Sequence, residues 1–262
     1  LDKNKAAVNL CLNYCLTYSN IKIEDIDYIA FSTPWGFKNL KQKCMEWAKE
    51  ISPNKKIVVK NVSHHLAHAE YIIHYGNNED GIVCVIDGSG SHGNEILEND
   101  YNDLTIIDEN VNTSNLNHTQ ETVSLYQYKQ NKLLTKFKVL SSNTKVVNFL
   151  DKFQSYIHSI GHLWEIVSDL IFEEKNQAGK VMGLIGFSKE KKGVKFLKIG
   201  KDLKPIIDVD LINEEIKKIK IKKNKPTDIS YIADIIQKNT NDYVITLLNK
   251  FISEQDTAIY LS

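Results

Sequence analysis

Between Ser63 and Tyr75 the chain reads SHHLAHAEYIIHY, which sets His64, His65, His68 and His74 along one short stretch. On a helix, residues i and i+4 point the same way, so His64 and His68 can reach one ion. His65 and His68, at i and i+3, can also converge, and spacing alone admits both pairs. Two imidazoles do not complete a metal site; a carboxylate commonly joins them. Asp87 is placed to do so, at the end of the apolar run GIVCVI and at the head of Asp87-Gly88-Ser89-Gly90. Imidazole and carboxylate together suit Fe(II), Zn(II) or Mn(II). The plainer reading is a set of helix-start histidines bonded to backbone or water.

Glycines let the main chain approach a ligand and expose N–H groups that can cradle phosphate oxygens. Gly88, Ser89 and Gly90 are therefore candidate nucleotide-binding residues, although a tight turn opening a β-meander would read the same in isolation. Together the two motifs describe a metal bridged to a phosphate. A third segment, residues 159–188, runs through a helical pattern to about residue 173 and then into a glycine-punctuated GKVMGL loop. Lys180 there is flanked by small residues, which suits a lysine aimed at an anion and equally a solvated loop lysine. Trp164 and Phe172, at helical spacing, read as core.

The elements that must carry these groups follow from periodicity. Residues 5–18 place Ala7, Leu10, Cys11, Tyr14 and Cys15 on one helical face. Residues 26–33 read as a strand ending in the Pro34-Trp35-Gly36 turn, and residues 40–50 as a helix. Residues 56–62 form a second strand, after which Ser63 can cap the histidine helix and Asn77-Asn78 can close it. Residues 81–86 are apolar throughout, as in a strand covered on both faces. DLTIID follows, then two strands around Gln130-Asn131 that read as a hairpin. Amphipathic helical segments are expected over residues 146–172, 212–221 and 229–253, and AIYL near the end is a buried strand. The order predicts an α/β protein of two subdomains joined near residues 76–80. Ligands in such folds collect at the carboxyl ends of central strands, where Asp87 to Gly90 fall.

Composition narrows the functional classes. Lysine plus arginine equals aspartate plus glutamate at 33 each, so no net field recruits nucleic acid or anionic lipid. The lysine runs at 189–192 and 217–225 read as solvated faces. The four cysteines form no CxxC and suit reduced thiols in a cytoplasmic protein. No apolar run is long enough to span a bilayer, and no signal peptide opens the chain. The chain starts at Leu1 almost directly in a helical pattern and stops at DTAIYLS, so it reads as a fragment.

HHLAHA at residues 64–69, DGSG at 87–90 and GKVMGL at 179–184, with the opening KAAVNLCLNYCLTYSNIKIEDIDYIAFS, resemble the O-carbamoyltransferase family, which carbamoylates nodulation factors, antibiotics and related sugars. The resemblance covers nearly the whole chain. It implies a partial ribonuclease-H-like architecture of the actin/hexokinase superfamily. Residues 1–78 would be the C-terminal part of one such subdomain, and residues 79–262 a truncated second one with helical insertions. It implies that a YrdC-type domain makes carbamoyladenylate from carbamoyl phosphate and ATP, and that the large domain passes the carbamoyl group to an acceptor hydroxyl. It implies a metal, iron, held by His64, His68 and Asp87 against the adenylate phosphate. Gly88, Ser89, Gly90 and Lys180 would lie on the nucleotide side. His92 and Gly93 depart from the family pattern, as does IGFS at 185–188; the catalytic base, the closing nucleotide loop, a later metal aspartate and the YrdC-type domain have no counterpart here.

Three other classes share parts of this pattern. A non-catalytic scaffold of the same fold would keep metal and nucleotide binding without turnover. A sugar-kinase-like phosphotransferase would hold Mg²⁺ through carboxylates and waters and has no use for an HxxxH pair. A threonylcarbamoyl-tRNA relative would need RNA binding, which the neutral charge does not support.

Overall fold

The structure is a computed structural model that describes residues 2–32, 40–96, 105–107, 116, 119–144, 155–156, 158–172, 177–188, 193–221, 226–252 and 258–262. The Pro34-Trp35-Gly36 turn and the 189–192 lysine run lie outside them. The protein is a mixed α/β structure that divides into two compact units between Val62 and Ser63.

The first unit contains α1 (Asp2–Ser19), β1 (Tyr28–Phe31), α2 (Leu40–Ile51) and β2 (Val58–Asn61). β1 and β2 pair in parallel, from Tyr28 opposite Val58 to Phe31 opposite Asn61. The face of α1 that carries Ala7, Leu10, Cys11, Tyr14 and Cys15 is exposed, Leu10 and Tyr14 to about seven-tenths. The partly covered side is Lys5, Asn9, Leu12 and Leu16, and two of these pair with α2. Trp47 Nε1 of α2 donates to Asn9 Oδ1 at 2.8 Å, and Lys5 meets Glu50.

The second unit opens with α3 (His64–Tyr75), β3 (Gly81–Ile86), β4 (Thr105–Ile107), β5 (Thr119–Lys129), β6 (Lys132–Thr144) and β7 (Ser155–Tyr156). It continues with α4 (Ile160–Phe172), α5 (Ala178–Leu184), β8 (Leu197–Ile199), β9 (Pro205–Ile207), α6 (Val209–Ile221), α7 (Pro226–Phe251) and β10 (Ala258–Leu261). Six strands form one sheet in the order β10-β3-β5-β6-β4, with β7 pairing to β6. β10 runs parallel to β3, and β5 antiparallel to it. The β5–β6 turn holds Gln130 and Asn131 at φ 52° and 59°. That left-handed pair is what a two-residue hairpin needs to match strand twist.

β3 shows why its sequence carries no polar alternation. Ile82 and Cys84 face a core built from α4, α6 and α7, while Val83 and Val85 face Ala69 and Ile73 of α3. With helices on both faces, every side chain of the strand is covered. Because α3 is packed on β3, it belongs with the second unit. The division between the compact units therefore falls before the histidine helix.

Three expectations change. Of the helix expected over residues 146–172, residues 146–154 and 157 lie outside the described residues; Ser155–Tyr156 pair as a strand with β6, and α4 begins at Ile160. GKVMGL is helical as part of α5 rather than a loop; its glycines 179 and 183 have no heavy atom within 4 Å of a would-be Cβ, so nothing opposes a helix. The β8–β9 hairpin and the short α5 had no recognised signal. Among the described residues no helix is long and apolar enough to cross a membrane.

Candidate metal centre

α3 presents its first turn to the carboxyl end of the sheet. His65, Ala69 and Ile73 are its buried residues, a stripe at i, i+4 and i+8 facing the sheet. That rotation sends His65 and His64 in different directions. His65 points into the protein, its Nδ1 2.8 Å from Ser124 Oγ. His64 and His68 point toward the strand ends.

β10 runs parallel to β3 with Leu261 opposite Cys84, and the Ile86 N–H donates to the Ser262 carbonyl, which brings Ser262 beside the end of β3 that carries Asp87. His64 Nε2 lies 3.1 Å from Asp87 Oδ2, His68 Nε2 lies 3.9 Å from it, and the two Nε2 atoms are 3.2 Å apart. One ligand atom from each of His64, His68 and Asp87 falls within 4.8 Å of the others. Ligands at about 2.0–2.1 Å from one ion, at angles between octahedral and tetrahedral, are themselves roughly 2.9–3.4 Å apart. Two of the three separations fit that window, and a small rotation of the half-buried His68 closes the third. The set therefore fits a divalent ion and leaves coordination positions for other ligands.

Protonation also suits a cation. Burial, then the neighbouring His64, lowers the His68 pKa, which favours the neutral imidazole. For Asp87, burial alone would raise the pKa. The hydrogen bond from His64, the field of His65 and the Gly88 N–H outweigh it and hold the carboxyl below its ordinary value. His68 Nδ1 lies 3.0 Å from Ser262 Oγ. A partner on that nitrogen fixes the ring's orientation and leaves Nε2 for the ion. Ser262 was not singled out in the sequence; only the parallel β3–β10 pairing brings it here.

The Asp87–Gly90 tip is held from two sides. Gly88 N–H donates to Asp87 Oδ1 at 2.6 Å, and Gly90 N–H donates to the Glu121 carbonyl at 2.7 Å. A Cβ on Gly90 would lie 2.6 Å from His65 Cδ2 and 2.7 Å from Glu121 Oε2, so only glycine lets the chain pass. Ser89 is half-buried beside them. On the other side, α4 starts directly against the tip. Ser159 Oγ accepts the His162 N–H at 3.1 Å, an N-cap bond, and lies 2.7 Å from the Gly88 carbonyl oxygen. Burial pushes the His162 imidazole down to about 4 against the pull of Asp87. It does the same to His65, again to about 4. Neither His162 nor Ser159 was identified from spacing.

Lys180 lies on the exposed side of α5, its ammonium 5.8 Å above the Phe172 ring. Trp164 is buried in the core, as expected. All four cysteines are free, and burial raises the Cys84 thiol to about 12.

No protein-family profile matches the chain, and no curated protein matches it. Solved structures do. A crystal structure of full-length HypF in its phosphate- and nucleotide-bound form superposes with a TM-score of 0.52 at 16% identity, covering 98% of this chain and 35% of that one. HypF from T. kodakarensis superposes with a TM-score of 0.51 at 13% identity, covering 92% of this chain and 35% of that one. The chain thus spans about a third of the length of these proteins. At such identities the likeness establishes a shared α/β fold.

Proposed function

We propose that this chain is the group-transferring part of a carbamoyltransferase, using a divalent metal and a nucleotide. The observation that carries the reading is the convergence of His64, His68 and Asp87 at the carboxyl ends of β3 and β10. The fold shared with HypF, described with phosphate and nucleotide bound, supports the nucleotide half. In finer terms, the transfer is from carbamoyladenylate, made from carbamoyl phosphate and ATP by a YrdC-type domain, to a hydroxyl of a sugar-like or natural-product acceptor. The two units are then pieces of ribonuclease-H-like halves.

His64, His68 and Asp87 would hold the ion, with Fe(II) favoured and Zn(II) or Mn(II) equally suited by ligand type. The ion would supply positive charge beside the adenylate phosphate, which favours AMP as the leaving group. Gly88 and Ser89 would seat the phosphate, Gly90 would contribute through its missing side chain, and Lys180 would meet an anionic group. In the transfer, the acceptor oxygen bonds to the carbamoyl carbon, the carbon–oxygen bond to phosphate breaks, and the hydroxyl proton passes to a base. Holding anhydride and hydroxyl together supplies the proximity.

A direct test is isothermal titration of the chelator-stripped protein with Zn(II), and anaerobically with Fe(II). One ion per chain is expected, with His64→Ala/His68→Ala binding at least about 100-fold more weakly than wild type. Equal stoichiometry and affinity in the double variant would sink the metal centre. A second reading, a metal-binding scaffold without turnover, is favoured by one observation: the Gly88 and Gly90 amides both donate within the chain. Nucleotide binding that depends on added metal separates the two.

A further inference from the structure

We infer that Glu121 of β5 is a positioning residue that clasps together the two segments carrying the metal ligands, resting on the metal-centre reading above. α3 begins without help from its own cap, since Ser63 makes no side-chain capping bond. The first N–H groups of a helix need acceptors nonetheless. They find them across the site: His64 N–H donates to Ser91 Oγ at 2.8 Å, and His65 N–H to Glu121 Oε2 at 3.3 Å. The same Oε2 accepts the Ser91 N–H at 2.9 Å. In the main chain, Glu121 accepts from Gly90 and donates to the Ser91 carbonyl at 3.0 Å. One residue therefore bridges the turn that carries His64 and the tip that carries Asp87. A carboxylate there also complements the positive end of the helix dipole.

Lys138 of β6 balances the charge. Its side chain and that of Glu121 are both fully buried and in contact, and Lys138 Nζ donates to Tyr126 Oη at 3.1 Å. A buried ion pair costs desolvation, and apolar residues of similar volume often replace one without loss of stability. Strand pairing and the two apolar clusters already hold this sheet. Both amides bonded to Oε2 belong to the segments that aim the ligands. Outer-shell partners of this kind tune metal affinity by about tenfold to a hundredfold.

Three variants of the intact chain test the clasp. Glu121→Gln/Lys138→Met discards both charges and keeps an acceptor oxygen for the His65 and Ser91 amides. Glu121→Leu/Lys138→Met removes that oxygen. Ile236→Ala, in the core on the other face of the sheet, lowers stability without touching the site. Zn(II) affinity is expected to stay close to wild type in the Gln/Met and Ile236→Ala proteins and to fall at least about tenfold in the Leu/Met protein. In metal-free protein, exchange of the His65 and Ser91 amides should accelerate only in the Leu/Met variant. A folded Leu/Met protein with wild-type affinity, or affinity that merely tracks melting temperature across the series, overturns the inference. If the Leu/Met protein does not fold, a tenfold loss in the Gln/Met protein overturns it. Should wild type bind no Zn(II), the metal reading fails, and amide exchange alone still judges the clasp.

Discussion

Two helical glycines should respond to alanine with opposite signs, and one of them reports on the metal centre. Gly161 is the second residue of α4, where it crosses the Asp87–Gly90 tip. A Cβ at this position would lie 2.4 Å from Gly88 N, 2.6 Å from Gly88 Cα and 2.7 Å from the Asp87 carbonyl carbon. All three are main-chain atoms, so no side chain can rotate aside. Reaching an ordinary contact of about 3.4 Å requires α4 and the tip to part by roughly 1 Å. Overpacking of this kind costs about 1–3 kcal/mol, against at most about 1 kcal/mol of helix propensity gained from alanine. The net expectation for Gly161→Ala is a loss of about 1–2 kcal/mol. Gly183 of α5 has nothing within 4 Å of its would-be Cβ, so Gly183→Ala keeps the propensity gain and should stabilise by up to about 1 kcal/mol. Urea denaturation at pH 7.5, with Trp35 and Trp47 replaced by Phe so that fluorescence follows the buried Trp164, measures both. Zinc titration adds the second readout. Shifting Asp87 by the same 1 Å against His64, now 3.1 Å away, should weaken binding about tenfold or more in Gly161→Ala alone. A Gly161→Ala protein as stable as wild type, with unchanged zinc affinity, would refute the packing argument.

Gly90→Ala drives a Cβ against His65 and Glu121, both fully buried, and is expected to destabilise by about 1–3 kcal/mol and to loosen zinc binding, read by the same two titrations. His162 should make stability pH-dependent. Its pKa near 4 in the folded chain lies below the ordinary 6.5, so the unfolded chain binds its proton first as pH falls. The contribution, up to about 3 kcal/mol, is complete above pH 6.5 and is lost between pH 6.5 and 4. His162→Gln should make that segment of the urea-midpoint curve shallower, leaving the share of the similarly lowered His65, and a variant with the wild-type slope would show that the His162 imidazole is not held neutral.

Most of the second unit's sheet was legible because its chemistry is local. GIVCVI reads as a strand covered on both faces, and Gln130-Asn131 between two strand-like runs reads as a tight turn. Long-range packing decided what was misread. α1 looks amphipathic, yet its partly covered side is Lys5, Asn9, Leu12 and Leu16, where Asn9 and Lys5 pair with Trp47 and Glu50 some forty residues away. The packing of α3 was hidden for a related reason. Nothing local in HHLAHAEYIIHY states that Ala69 and Ile73 will lie on Val83 and Val85. GKVMGL misled through its glycines, which mark a loop when a backbone must bend and cost only propensity when, as here, they sit in open space on a helix.

The convergence of His64, His68 and Asp87 was readable, since i,i+4 spacing is a property of the helix and a strand-end aspartate is a property of the fold. Their aim was not. Which of His65 and His64 accompanies His68 depends on the rotation of α3, and that rotation is fixed by residues with no motif of their own. Ser124 takes the His65 ring, Glu121 takes the His65 and Ser91 amides, and Ser91 takes the His64 amide. A buried Lys138 keeps Glu121 ionised by opposing its burial. A search for ligand spacing finds only the candidate ligands. The residues that aim them look like ordinary strand positions in TQETVSLYQYK and become recognisable only when the sheet places a carboxylate under the start of the helix.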